Sequence, residues 1–360
     1  MTMKKNIQII LFVLFTYSIA IAQTKVSIIT NPKEIYVELG ESKQHLNLDF
    51  IVESNISDTL TLSKIVATVF DTNNRIIHQR FLDNNGTAPS IQTIPNRVFT
   101  GKQKKLIFNP FSEYDLNLAL YKIEFEFTFS SNQDEKINIK TVIKPQNYVQ
   151  KESYTFPLKG KALVYDAHDY CSHHRRFDYE FEPIKQLGIT TNFMRYAYDF
   201  VLLDENNNQY VGDSGKPESY FGYGKKVHAI ANGVIIYASN KHKDDRSFDI
   251  PEIANNPLEL YGNCIAIQHK DNSISIYGHL KQNSLTVKVG DEIKAQDEIA
   301  EIGLSGSSFF PHLHFEVRTS IKSSAEGLPS YFSNIFVLKT LKFKKLKSGL
   351  AETGSIILAK

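Results

Sequence analysis

A few histidines and one aspartate in this chain are spaced so that they could hold a metal ion and move protons beside it. In Pro311–Val317, apolar Leu313, Phe315 and Val317 alternate with His312, His314 and Glu316. That is the period of a β-strand, so the two histidines share one face. Neutral imidazole is the commonest nitrogen ligand of zinc. One of the pair could ligate while the other carries a proton. Asp199 interrupts the apolar stretch Tyr196–Leu203, where an ionised carboxylate is costly unless paired or coordinated. A metal would satisfy it; an ion pair with Arg195, on the same strand face, is the competing explanation. In Cys171–Arg176, either His173 or His174 would complete a His/Asp/His set, leaving the fourth position that a catalytic zinc keeps for water. His279 closes the strand Ser273–Tyr277 and, taken alone, reads as an ordinary surface or core histidine.

The elements around these residues are β-like. With 360 residues and 42% hydrophobic content, the chain suits two packed domains. A net charge of +2 gives no reason to expect a nucleic-acid partner. Lys4 and Lys5 precede an apolar run, Ile7–Tyr17, and the small residues Ala20 and Ala22. This pattern predicts a signal peptide over 1–22, cut before Gln23. The run is shorter than the roughly 20 apolar residues of a membrane span. The expected product is exported, periplasmic or secreted, with no stable membrane insertion after cleavage. Short β segments separated by Asn, Asp, Ser and Gly clusters predict an immunoglobulin-like β-sandwich over 23–150. The break at Lys144–Gly160 separates it from a second mainly β unit over 151–345, followed by a tail, 346–360. Cys171 and Cys264 are too few for a thiolate zinc site, and their spacing leaves a bridge and two free thiols equally open.

From about Asn192 to Leu328 the chain resembles the catalytic domain of lysostaphin/LytM-type zinc endopeptidases. The carrying residues are Val227-His228-Ala229, Gly233-Val234-Ile235, Tyr277-Gly278-His279-Leu280, the glycine-bearing turns at Gly290 and Gly303–Gly306, and Pro311-His312-Leu313-His314-Phe315-Glu316. Many members carry the first ligand four residues before the aspartate, where this chain has Arg195. A subset places it upstream in a Ser-x-His-Arg-Arg context, similar to Ser172-His173-His174-Arg175-Arg176. The resemblance implies an antiparallel catalytic domain, a Zn2+ held by His174, Asp199 and His314, and catalytic roles for His279 and His312. His173 is the alternative first ligand. It further implies peptide-bond hydrolysis in peptidoglycan cross-links or stem peptides. Two alternatives stay open: an inactive binding module that activates other cell-wall hydrolases, and an exported peptidase acting on proteins.

Overall fold

Strand Lys122–Ser131 shows how the N-terminal half is built. Ile123, Phe125, Phe127 and Phe129 are fully buried, while the residues between them are partly exposed, the alternation of a strand with one face on a core. In the computed structural model, which describes residues 24–360 apart from Asp134, this strand sits inside a five-stranded sheet. The sheet runs Lys136–Ile143, Lys122–Ser131, Thr59–Phe70, Ile76–Asp83, with Val98–Thr100 also pairing Thr59–Phe70. A three-stranded sheet of Val26–Asn31, Asp49–Ser54 and Lys104–Phe108 faces it. The Phe50 ring lies 4.9 Å from those of both Phe125 and Phe127, closing the layer between the sheets. The expected sandwich is therefore present. The signal peptide expected over 1–22 lies outside the described residues.

The second half is organised on one long sheet whose adjacent pairs are all antiparallel. At its centre lie Cys264–Gln268, Ile274–Gly278, Leu313–Arg318, Tyr198–Leu202 and Gly160–Asp166, in that order. One face packs Tyr198, Phe200, Tyr277, Phe315 and Phe332 into the core. The mainly β architecture expected from the sequence holds here too. Residues 346–360, set apart as a tail on sequence grounds, join this sheet. Ile356–Ala359 inserts between Gly160–Asp166 and Phe332–Lys339, and Lys342–Gly349 forms the outer strand. Short apolar segments find partners only in three dimensions, which explains why this one looked unattached.

Helix is sparse: Glu182–Lys185 and Ile250–Asn255 are the α-helices among the described residues. No helix among them is long and apolar enough to cross a membrane. Cys171 is exposed and Cys264 buried, both as free thiols. Because Phe200 stacks within 5.2 Å of Tyr198 and 4.7 Å of Phe156, Phe200→Ala is expected to cost about 3–5 kcal/mol. The urea midpoint of the protein should fall accordingly, and an unshifted midpoint would show that this aromatic layer is not the core.

Candidate metal centre

Three adjacent strands assemble the site. Asp199 lies directly across the ladder from His314, and His314 lies across from Gly278, the residue before His279. Strand parity sorts the rest: Leu313, Phe315 and Val317 enter the core, while His312, His314, Glu316 and Arg318 take the opposite face. His174 arrives from the turn-rich segment after Gly160–Asp166. His174, Asp199 and His314 each offer one ligand atom within 4.8 Å of the others. Asp199 Oδ1 lies 3.2 Å from His314 Nδ1 and 3.5 Å from His174 Nε2.

His173 is also close, its Nε2 3.6 Å from Asp199 Oδ2. The two neighbours differ in setting: the His173 side chain is 61% exposed and that of His174 3%. His173 groups with Asp166 and His174 rather than with His314. The rival ion pair for Asp199 is absent. Arg195 instead donates to Asp49 Oδ2 at 2.7 Å.

His279 and His312 complete the floor. The His279 ring donates from Nδ1 to Ser305 O at 2.8 Å, and His312 from Nδ1 to Phe310 O at 2.7 Å. Each ring therefore keeps its Nε2 lone pair free, and His312 Nε2 lies 3.3 Å from Asp199 Oδ1. His279 holds φ at +57°, a left-handed conformation rare for a residue with a Cβ. Its amide donates to Tyr261 O and its carbonyl accepts from Gly303 N, so the backbone is pinned on both sides. Behind it Gly262 and Gly306 meet back to back, and a Cβ on either would stand 2.4 Å from the other's nitrogen. Only glycine allows the two chains to cross there.

Electrostatics favour a cation. Burial would raise the Asp199 pKa, but His312 and His174 outweigh it and hold the carboxyl well below its usual range. Burial, together with the crowding of His312 and His314, pushes His279 well below a normal histidine, leaving a neutral proton acceptor. For Glu316, burial is outweighed by Arg318, and the pKa falls to about 2. Glu316 Oε1 lies 3.4 Å from His314 Nε2, which fixes the ring with Nδ1 toward Asp199. Arg318 binds Glu316 and donates to Tyr261 OH; both residues of the pair are fully buried. Arg318→Met would strand that carboxylate and is expected to destabilise the protein by about 3–5 kcal/mol, read as a lowered melting temperature. A shift under a degree would show that the pair contributes little.

Sequence reasoning missed Asp166. Its Oδ2 lies 2.9 Å from His174 Nδ1 and 3.1 Å from His173 Nδ1, and it accepts from Ser172 Oγ at 2.5 Å. A register irregularity in Gly160–Asp166 brings it opposite Asp199, and bulges re-aim side chains in this way. A carboxylate ending the apolar run Ala162–Tyr165 was the available signal. Glu316 was named within a motif but given no task.

The site opens into a cleft of about 640 Å³ walled by Tyr165, Phe177, Met194, Leu260, Tyr261, Phe309 and Phe310. Two imidazoles and a carboxylate at its base, with further histidines alongside, form a donor set suited to hydrolytic metal chemistry. The sequence profile of peptidase family M23 matches residues 220–326, a span that includes His279, His312 and His314 but neither His174 nor Asp199. Lipoprotein NlpD of Yersinia enterocolitica is 35% identical over 100 residues, which cover 28% of this chain and 84% of that protein. An uncharacterized metalloprotease of Buchnera aphidicola subsp. Baizongia pistaciae is 48% identical over 200 residues, 51% of this chain and 46% of that one. Murein hydrolase activator NlpD of Salmonella dublin is 34% identical over 100 residues, 28% of this chain and 22% of that one. The chain thus spans most of the first relative but less than half of the other two. It belongs to peptidase family M23.

Proposed function

We propose that the chain is an exported zinc endopeptidase that hydrolyses peptide bonds in peptidoglycan cross-links or stem peptides. One observation carries the reading: His174, Asp199 and His314 converge with ligand atoms within 4.8 Å of one another, the N₂O donor set of a catalytic zinc with an open fourth position. Held by these three residues, zinc would supply a Lewis acid that lowers the pKa of bound water to about 7 and polarises a scissile carbonyl. Asp166 and Glu316 orient the two ligand imidazoles from behind. His279, kept neutral, takes up at Nε2 a proton from the attacking water and returns it to the leaving amine. His312 presents its own Nε2 beside Asp199 and steadies charge on the substrate oxygen when protonated. The aromatic walls of the cleft hold the peptide and exclude water. The first-ligand segment follows the Ser-x-His-Arg-Arg arrangement, with His174 as ligand. Export rests on the basic-then-apolar N-terminus.

A second reading has a specific basis: one relative is described as a murein hydrolase activator. On that reading the chain binds a partner hydrolase and cuts nothing itself. Elemental analysis and digestion of purified sacculi separate the two. About one zinc per chain with release of muropeptides supports the peptidase. Partner activation without zinc or release refutes it. Digestion of a protein such as casein while sacculi stay intact would refute the wall substrate and keep the chemistry.

A further inference from the structure

We infer that the N-terminal sandwich is a working part of the metal centre, with its Asp49 as the positioning residue for two of the three ligands. The inference rests on the metal-site reading above. Asp49 begins the strand Asp49–Ser54 and is fully buried. Its two carboxylate oxygens divide between two fully buried guanidinium groups: Arg175 Nη1 donates to Oδ1 at 2.5 Å and Arg195 Nη1 to Oδ2 at 2.7 Å. Arg175 is the residue after His174. Arg195 lies in the turn three residues before the strand Tyr198–Leu202 that carries Asp199. A single carboxylate from the other half of the chain therefore ties the first-ligand segment to the Asp199 segment.

The remaining donors of Arg175 are also taken by the sandwich. Its Nε donates to Asn47 Oδ1 at 2.8 Å and its Nη2 to Leu48 O, and its guanidinium lies over the Phe108 ring. Arg195 is more dependent still. Its Nε and Nη2 make no hydrogen bond among the described residues, and the next carboxylate, Glu326, stands 3.8 Å from Nε. Asn192 then locks the two segments to each other, donating from Nδ2 to His174 O at 2.9 Å. His174 has few neighbouring backbone ladders of its own, because its segment is turn and not strand. Asp166 faces its ring at 2.9 Å, and its backbone is carried by the residue beside it, which the sandwich holds. Bidentate and forked contacts of this kind fix geometry more tightly than a single charge pair.

The test uses the full-length chain and measures affinity for Zn2+ by competition with a chromophoric chelator, alongside the visible spectrum of the Co2+ form. The variants are Asp49→Asn, Asn47→Ala and, as a control for general loosening of the sandwich, Leu62→Ala in its core. Asp49→Asn is expected to weaken Zn2+ binding about 10- to 100-fold and to reduce the tetrahedral Co2+ band, while Leu62→Ala keeps wild-type affinity. Should Asp49→Asn not fold, Asn47→Ala is read by the same criterion. Affinity within twofold of wild type in a folded variant overturns the inference and leaves the metal site standing. Equal losses in Leu62→Ala and Asp49→Asn also overturn it, since they would reflect stability alone. A wild type that binds no Zn2+ overturns both the inference and the reading beneath it.

Discussion

His174→Ala is expected to abolish stoichiometric zinc and with it hydrolysis, whereas His173→Ala keeps both. The two residues are adjacent and both approach Asp199, so the contrast is a sharp one. His174 is buried, faces Asp199 Oδ1 through Nε2 and is backed at Nδ1 by Asp166, the carboxylate–histidine arrangement that orients a ligand. The His173 side chain is instead 61% exposed. Loss of the ion removes several kcal/mol of transition-state stabilisation, and each 1.4 kcal/mol is tenfold in rate. The activity of His174→Ala should therefore fall by about 10³-fold or more. Elemental analysis of both variants, paired with sacculus digestion, is the measurement. Full zinc in His174→Ala with none in His173→Ala would exchange the two roles.

His279→Ala is expected to separate binding from chemistry: zinc stays at one per chain while turnover falls about 10²- to 10⁴-fold, the usual contribution of a positioned acid–base group. The ring lies outside the three-donor group, and its Nδ1 is committed to Ser305 O. The loss should appear in kcat with little change in KM, because a proton carrier acts on the transition state. Zinc lost together with activity would instead make His279 part of the scaffold. His279→Gly offers a check on the backbone: glycine relieves the positive φ, so the protein should stay folded and still lack activity.

Much of the centre was legible in the sequence because its logic is local. Strand parity puts His312 and His314 on one face from the spacing alone, and a carboxylate within Tyr198–Leu202 marks Asp199 as a residue that needs a partner. Short-range alternation likewise exposed the strands of both halves. His279 needed more. Nothing in Tyr277-Gly278-His279 shows that its ring faces the metal side, and only the resemblance pointed there. The reason is that its aim depends on a left-handed backbone held by Tyr261 O and on a ring bond to Ser305 O.

What only the tertiary structure decided are the contacts between segments far apart in the chain. The sequence by itself determined that a His-x-His strand and a lone buried aspartate exist and must be satisfied. It left His173 and His174 unresolved and offered Arg195 as a partner for Asp199. Folding brings together groups more than a hundred residues apart: Arg175 and Arg195 with Asp49, and His314 with Asp199. It also turns Asp166 in behind His174 through a bulge. Periodicity is written along the chain and can be read there. The choice of partner for a buried charge is made by whichever opposite charge the packed segments bring within reach, and that distance exists only once the chain is folded.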